Sequence, residues 1–220
     1  MVRRIYADMF DAPEQSIRVI APDVGGGFGA KEPFYVEDFL IPWTARQLGR
    51  PVCWIEDRLE HLQASAHERE QKHWARMGVS RTGEILAVSD TFLAATGAYV
   101  PWGIIVPIIT STLIPGPYKV PNYSCNAEVI YTNTMSLAPY RGAGRPQAAL
   151  VMNRLLDKAA EQLTMEPAEI RFKNFIRPEE FPYNTGLLAR DGTPMRLDSG
   201  NYPALLETLL EKGHYQSWRE

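Results

Sequence analysis

The sequence predicts an α+β fold, with mixed sheets and helices packed against them. Apolar residues alternate with polar ones in several short stretches, as in strands, and recur with helical spacing in others. Two glycine-rich turns interrupt these stretches. With 45% hydrophobic and 22% charged residues, the 220-residue chain has an ordinary globular composition, sufficient for one core or two small ones.

The N-terminal quarter is expected to contain a short helix over 1–10 and a strand over 16–22. The residues that share one face of this strand are Ile17, Val19 and Ala21. After the first glycine turn, a helix is predicted to end near Gly49, and a second buried strand is predicted over 51–57.

The rest of the chain is expected to alternate strands and helices, with a buried loop or helix over 99–121. The predicted elements are strands within 83–100 and 122–133, helices over 146–163 and 166–176, a loop or hairpin over 181–196, and a capped final helix over 199–213. The apolar stripe predicted for the 146–163 helix is Ala149, Met152, Leu155, Leu156, Ala159 and Leu163.

Charge and hydropathy exclude several classes of function. A net charge of −3 without a basic run argues against nucleic-acid binding. The longest apolar stretch, 102–117, is broken by Pro107 and Pro115 and is too short to span a bilayer, and the N-terminus lacks a signal peptide's apolar core.

Cys53 and Cys125 are predicted to be buried free thiols, and the default location is the cytoplasm. The histidines lack metal-ligand spacing and are expected to be exposed or hydrogen-bonded: His61, His67 and His73.

Two glycine-rich segments carry the strongest functional signal. Each of them, "VGGGFGAKE" and "SLAPYRGAGRPQ", is predicted to connect a strand to a helix. Such a turn directs unpaired backbone N–H groups and the positive end of a helix toward one point, which suits an anion or an oxo group. Glycine turns are often purely structural. Two in one small chain, each followed by Lys or Arg, favour a phosphate-bearing ligand.

A dinucleotide site is one alternative for the first segment. Gly25, Gly27 and Ala30 fit the pattern G-x-G-x-x-A, and the acidic pair at 56–57 ends the next predicted strand, where a ribose could be held. This alternative, an NAD-type oxidoreductase, requires a continuous helix directly after the turn, and Pro33 argues against one.

The segments "IRVIAPDVGGGFGAKE" and "APYRGAGRPQAAL" closely resemble the two cofactor loops of the molybdopterin-binding subunit of the molybdenum hydroxylases. This family includes xanthine dehydrogenase, aldehyde oxidase and the carbon monoxide dehydrogenase large chain. Further matches, "GRPVCWIEDRLEHL", "GPYKVPNY", "EIRFKNFI" and "DSGNYPALLE", occur in the family order and extend the resemblance over nearly the whole chain.

The resemblance implies specific binding residues. In the family, the first glycine loop packs against the molybdenum centre with a backbone N–H directed at it. The cofactor-binding residues implied here are Gly25, Gly26, Gly27, Phe28, Gly29, Arg141, Gly142, Ala143 and Gly144. None is expected to ligate the metal directly. Glu32 and Ala143 correspond to positions that line the substrate pocket, although Glu32 could instead be a carboxylate at a helix N-terminus.

Three departures from the family bear on the substrate. Gly142 stands where copper-containing carbon monoxide enzymes carry cysteine, which disfavours carbon monoxide as substrate. Ala143 replaces the phenylalanine on which purines stack in xanthine enzymes. Their substrate-orienting arginine corresponds roughly to Ile109. The resemblance therefore implies a less polar pocket for an aldehyde or an N-heteroaromatic compound, oxidised with water as the oxygen source.

The resemblance also implies an assembly. The chain corresponds to the end of a first molybdopterin-binding domain, 1–135, and the start of a second, 136–220. The glutamate base of the family, in a Gly-x-Gly-Glu motif, falls outside the chain. The expected cofactor is molybdenum-molybdopterin, as the cytosine dinucleotide in a bacterial protein. Expected partners are another molybdopterin-domain chain, an iron–sulfur subunit with [2Fe–2S] clusters and an FAD subunit.

Alone, the chain is expected to be inactive. An alternative is a non-catalytic fragment or assembly remnant, which would expose apolar surface where other domains dock.

Overall fold

The computed structural model describes residues 1–100, 102 and 104–219. Pro101 and Gly103, within the predicted apolar stretch 99–121, lie outside these residues, as does Glu220. The helices are α1 (Val2–Phe10), α2 (Val36–Leu48), α3 (Arg58–Ala64), α4 (Ile105–Leu113), α5 (Arg145–Leu163), α6 (Pro167–Asn174), α7 (Tyr202–Lys212) and α8 (Tyr215–Arg219). The strands are β1 (Gln71–Val79), β2 (Ile85–Ala95), β3 (Tyr123–Ile130), β4 (Tyr183–Leu188) and β5 (Pro194–Leu197).

The predicted α+β fold with mixed sheets is confirmed. Strands β1, β2 and β3 form one sheet in that order, in which β1 and β2 are antiparallel and β2 and β3 are parallel. Helix α4 lies in the connection between the two parallel strands, as parallel pairing requires a crossover. Strands β4 and β5 form a separate antiparallel hairpin, as predicted for 181–196.

The main core forms where α5 and α6 pack on this sheet. Val88 of β2 and Ile114 are buried with Met152 and Leu156 of α5 and with Ile170 of α6. The helix over 146–163 is therefore confirmed, and five of its six predicted stripe residues lie in or against this core: Met152, Leu155, Leu156, Ala159 and Leu163. The sixth, Ala149, is exposed, and Ala148 is buried in its place.

Two predicted strands are wrong. Residues 16–22 and 51–57 form neither strand nor regular helix beyond a short 3₁₀ turn ending at Ser16. Apolar alternation produces a strand only where a neighbouring strand supplies backbone hydrogen bonds, and the pairings of the described residues include neither segment. Val19 is 46% exposed and Ile55 is 84% exposed. Cys53 is consequently exposed, contrary to the prediction.

Helix ends follow their local sequence signals. Helix α2 ends as predicted at Gly49, which adopts the left-handed conformation. The Asn201 side chain accepts the Ala204 N–H at 3.2 Å and begins α7, which ends before Gly213. The helix predicted to be final is followed by α8. No helix in the described part of the chain is long and apolar enough to cross a membrane.

Candidate cofactor-binding site

The first glycine loop turns sharply at Phe28. Phe28 has φ +53°, a left-handed conformation that is uncommon for a residue with a side chain. Gly26 and Gly29 on either side have φ +121° and +99°. No strand leads directly into this loop, and helix α2 begins only at Val36, so the predicted strand–turn–helix arrangement is wrong here.

The second glycine loop has a similar turn, centred on Ala143. Its φ is +48°, between Gly142 at +104° and Gly144 at +91°. The Ala143 N–H donates to the Tyr140 carbonyl at 2.7 Å, which closes the turn. Helix α5 begins immediately afterwards at Arg145, so the positive end of a helix does adjoin this loop, as predicted.

The two loops touch one another. The Arg141 N–H donates to the Phe28 carbonyl at 2.9 Å, and the Arg141 guanidinium lies 5.4 Å from the centre of the Phe28 ring. Gly29 sits so close to Pro139 that a Cβ there would lie 1.9 Å from the Pro139 carbonyl oxygen. The structure thus brings together two segments that lie more than a hundred residues apart in the sequence.

The glycines of the first loop divide into two groups. Gly26 and Gly29 are required by the chain itself, because each has a left-handed conformation and a Cβ would collide with a neighbour. Neither of these reasons for a glycine applies at Gly25 or Gly27. No atom lies within 4 Å of a Cβ at Gly25, and the nearest atom to one at Gly27 is the Lys31 Cβ at 3.9 Å. Internal packing therefore does not explain why side chains are missing at these two positions.

Glu32 and Ala143, the residues implied for the substrate pocket, line one cavity of about 440 Å³. Ile109 lines it as well. Glu32 lies ahead of α2, whose first-turn acids are Glu37 and Asp38, so the alternative role as its N-terminal carboxylate is wrong.

The same cavity contains charged residues that sequence reasoning did not place there. Arg190 and Asp191, at the tip of the β4–β5 hairpin, lie on its wall, as does Arg145 at the start of α5. Apolar side chains, including Met195, form much of the remaining wall. The departures from the family pattern imply a less polar pocket, but this wall of the cavity is charged. The difference arises because the β4–β5 hairpin reaches the cavity from a distant part of the sequence.

A polar network links the sheet to the second loop. His73 Nδ1 lies 2.7 Å from the buried carboxylate of Asp90, and His73 Nε2 lies 3.1 Å from Gln71 Oε1. Gln71 Nε2 donates to the Thr110 hydroxyl at 3.2 Å, and this hydroxyl lies 3.3 Å from the Gly144 carbonyl oxygen. The backbone of the second loop is therefore supported from below by side chains of β1 and α4.

The histidines and the remaining cysteine behave largely as predicted. His61 is hydrogen-bonded to Glu56 at 2.8 Å, and His67 is exposed. Cys125 is a half-buried free thiol whose pKa is raised by burial, so the thiolate is disfavoured. Across residues 1–100, 102 and 104–219, no group of three or more His, Cys, Asp or Glu side chains is placed to hold a metal ion.

The fold and the two apposed glycine loops define an α+β protein in which the loop backbone is open to close approach at Gly25 and Gly27. Its sequence matches the molybdopterin cofactor-binding domain over residues 1–175, and the chain belongs to this family. The dinucleotide alternative finds no support: the helix it requires directly after Gly25 is missing from the described fold.

Several characterised proteins are similar over nearly the whole chain. The 6-hydroxypseudooxynicotine dehydrogenase complex subunit gamma of Paenarthrobacter nicotinovorans is 32% identical over 99% of this chain and 28% of its own. The carbon monoxide dehydrogenase large chain of Hydrogenophaga pseudoflava is 32% identical over 100% of this chain and 27% of its own. Quinoline 2-oxidoreductase from Pseudomonas putida 86 superposes with a TM-score of 0.89 at 34% identity, covering 99% of this chain and 27% of that one. The chain thus spans little more than a quarter of each.

Proposed function

We propose that this chain supplies both glycine loops that hold molybdenum-molybdopterin in a molybdenum hydroxylase. The observation that carries the proposal is the direct contact between the loops, through the Arg141 N–H and the Phe28 carbonyl. The residues proposed to surround the cofactor are Gly25, Gly26, Gly27, Phe28, Gly29, Arg141, Gly142, Ala143 and Gly144. When bound, this cofactor supplies the redox chemistry for oxidising a substrate carbon with oxygen from water.

The loops fit such a group in two respects. Gly25 and Gly27 leave open space next to the backbone, so a ligand can approach it closely. The N-terminus of α5 and the Arg141 guanidinium add positive charge beside the second loop, which suits the phosphate of a pterin cofactor. In this proposal, the chain binds and orients the cofactor, while the catalytic base lies on another part of the complex.

The cavity beside Ala143 supports an aldehyde or an N-heteroaromatic compound as the substrate. Ala143 presents only a methyl group to it, and Ile109 adds apolar surface. Quinoline, named for the similar oxidoreductase from Pseudomonas putida 86, is an N-heteroaromatic compound. Gly142, at the position of the copper-binding cysteine, makes carbon monoxide the less favoured substrate. Glu32 is proposed to face the substrate from the opposite loop.

Substituting Ala143→Phe is expected to reduce kcat/KM for a bicyclic N-heteroaromatic such as quinoline by about tenfold or more, because the ring fills space that this substrate would occupy. A small aliphatic aldehyde should be affected much less. The measurement is the ratio of the two kcat/KM values in the assembled complex. An unchanged ratio would show that Ala143 does not face the substrate.

The exposed surface supports the proposal that other chains or domains complete the enzyme. The chain has 14740 Å² of accessible surface for 24.8 kDa. A compact monomer of this mass is expected to have about 10,000 Å². The described residues of α2 and α3 include none that is buried, and Trp54 and Ile55 between them are exposed. A catalytic complex and a non-catalytic remnant both predict such exposure, so metal content has to distinguish them.

The proposed companions are a second molybdopterin-domain chain, an iron–sulfur subunit with [2Fe–2S] clusters and an FAD subunit, in the cytoplasm. The proposed cofactor is the cytosine dinucleotide form, and the chain alone is proposed to be inactive. The division into domain parts 1–135 and 136–220 stays a prediction about the two cofactor domains. One hydrophobic core contains residues from both sides of this boundary: Val88 and Ile114 pack in it with Met152 and Leu156.

The test is the metal content of this chain co-purified with the products of its neighbouring genes. We expect nearly one molybdenum per copy by native mass spectrometry, and at least about tenfold less for Gly27→Ala, because its methyl group enters the space left for the cofactor. Gly78→Ala is the matched control, since Gly78 also has open surroundings and lies on β1. A complex without metal would favour the remnant, and equal metal in both variants would remove Gly27 from the site.

A further inference from the structure

Beneath the second glycine loop lies a buried carboxylate that no sequence pattern indicated. The side chain of Glu68 has 0% exposure. It accepts hydrogen bonds from the backbone N–H of Tyr140 and from the Gly144 N–H at 3.0 Å. It also accepts from Gln147 Nε2 at 3.1 Å and from the Arg69 guanidinium at 2.6 Å. One carboxylate thus bonds both ends of the 140–144 loop.

Arg69 extends this arrangement to the middle of the loop. Its backbone has φ +92°, which is left-handed and strained for a residue with a side chain. Its guanidinium donates to the Arg141 carbonyl and lies 5.4 Å from the centre of the Tyr140 ring. Together, Glu68 and Arg69 contact the backbone of the loop at three residues: Tyr140, Arg141 and Gly144.

Only an ionised carboxylate matches this set of partners. All four groups that face Glu68 are donors, and a carboxylate is purely an acceptor. A glutamine side chain has the same shape, but its NH₂ group must take the place of one of the two carboxylate oxygens and cannot accept a hydrogen bond there. Oε2 accepts from the Tyr140 N–H, and Oε1 accepts from the other three donors. Either orientation leaves one backbone N–H of the loop without its acceptor, that of Tyr140 or that of the buried Gly144.

We propose that Glu68 is a positioning residue, which fixes the second glycine loop in the conformation that receives the cofactor, with Arg69 as its counter-ion. This inference rests on the function proposed above, because the loop must be a cofactor loop for the position to matter. Glu68 acts through the backbone of Tyr140 and Gly144 and does not contact the cofactor itself.

The test compares Glu68→Gln with Glu70→Gln in the assembled complex. Glu70 is exposed, so the control removes the same charge two residues away without disturbing the loop. For Glu68→Gln we expect amide hydrogen exchange at Tyr140 and Gly144 to accelerate about tenfold or more, with exchange in the interior of α5 unchanged. Bound molybdenum should fall about tenfold. If Glu68 affected cofactor binding only through its negative charge, its removal would reduce the repulsion of an anionic cofactor, and the amount of bound molybdenum would rise instead.

The outcomes separate this inference from the proposed function. Exchange at Tyr140 and Gly144 equal to that of the wild type overturns the positioning role. Faster exchange with full metal content shows that the loop does not hold the cofactor, and the inference fails together with the function proposed for this loop. If the Glu68→Gln complex does not assemble, Arg69→Lys replaces it. Because Arg69 donates to the Glu68 carboxylate that accepts the Tyr140 and Gly144 N–H groups, faster exchange at these two amides then supports the inference, and unchanged exchange there contradicts it.

Discussion

In the complex proposed above, Gly29→Ala is expected to lower the affinity for the proposed molybdenum cofactor by more than about a hundredfold. The added Cβ would lie 1.9 Å from the Pro139 carbonyl oxygen and 2.8 Å from the Pro139 carbonyl carbon. Both atoms belong to the backbone, so no side-chain rotation relieves the collision. The φ of +99° adds strain of its own. The two loops must move apart, and the bond from the Arg141 N–H to the Phe28 carbonyl should break.

The measurement combines molybdenum per copy with hydrogen exchange at the Arg141 amide. Gly49→Ala is the matched control, because Gly49 also has a left-handed φ of +63° but no atom within 4 Å of its Cβ position. This control incurs the conformational cost of about 1 kcal/mol without a collision and should keep its metal. Full metal in Gly29→Ala would mean that contact between the loops is not needed for the cofactor.

Both glycine loops were identifiable from sequence because their signal is local. Glycines clustered within five positions, as at 25–29, mark a backbone that must turn or be approached closely. The helices were predicted for the same reason, since caps such as Asn201 and Gly49 act on neighbouring residues. What the sequence did not reveal is that Arg141 meets Phe28, because this contact depends on the path of the intervening sheet.

The failed predictions share a physical cause. The apolar alternation of 16–22 and 51–57 is compatible with a strand, but a strand also needs a neighbour, and alternation carries no information about one. The role of Glu68 was hidden in the same way. Its partners include backbone N–H groups more than seventy residues away in the sequence. Every residue except proline has such a group, so the amino-acid type does not show which of them Glu68 will bind. Arg190 and Asp191 reach the cavity only through the hairpin.

Asn174 is a second residue whose importance depends on distant partners. It is the last residue of α6 and is only 4% exposed. Its Oδ1 accepts the Ile85 N–H at 2.8 Å, and its Nδ2 donates to the carbonyls of Gly83 at 2.8 Å and Ile170 at 2.7 Å. The side chain therefore joins α6 to the turn between β1 and β2, where both elements enter the main core.

Asn174→Ala is expected to lower the free energy of unfolding by about 3 to 5 kcal/mol, since it removes three hydrogen bonds and leaves the Ile85 N–H and the Gly83 carbonyl unsatisfied and buried. Urea unfolding of the 220-residue chain measures the loss. Asn126→Ala, at an exposed position of β3, should change stability by less than about 1 kcal/mol. Asn174→Asp should be at least as damaging as Asn174→Ala, because a carboxylate would face two carbonyl oxygens. A loss below about 1 kcal/mol for Asn174→Ala would show that water replaces the side chain, and that α6 is held to the sheet by apolar packing alone.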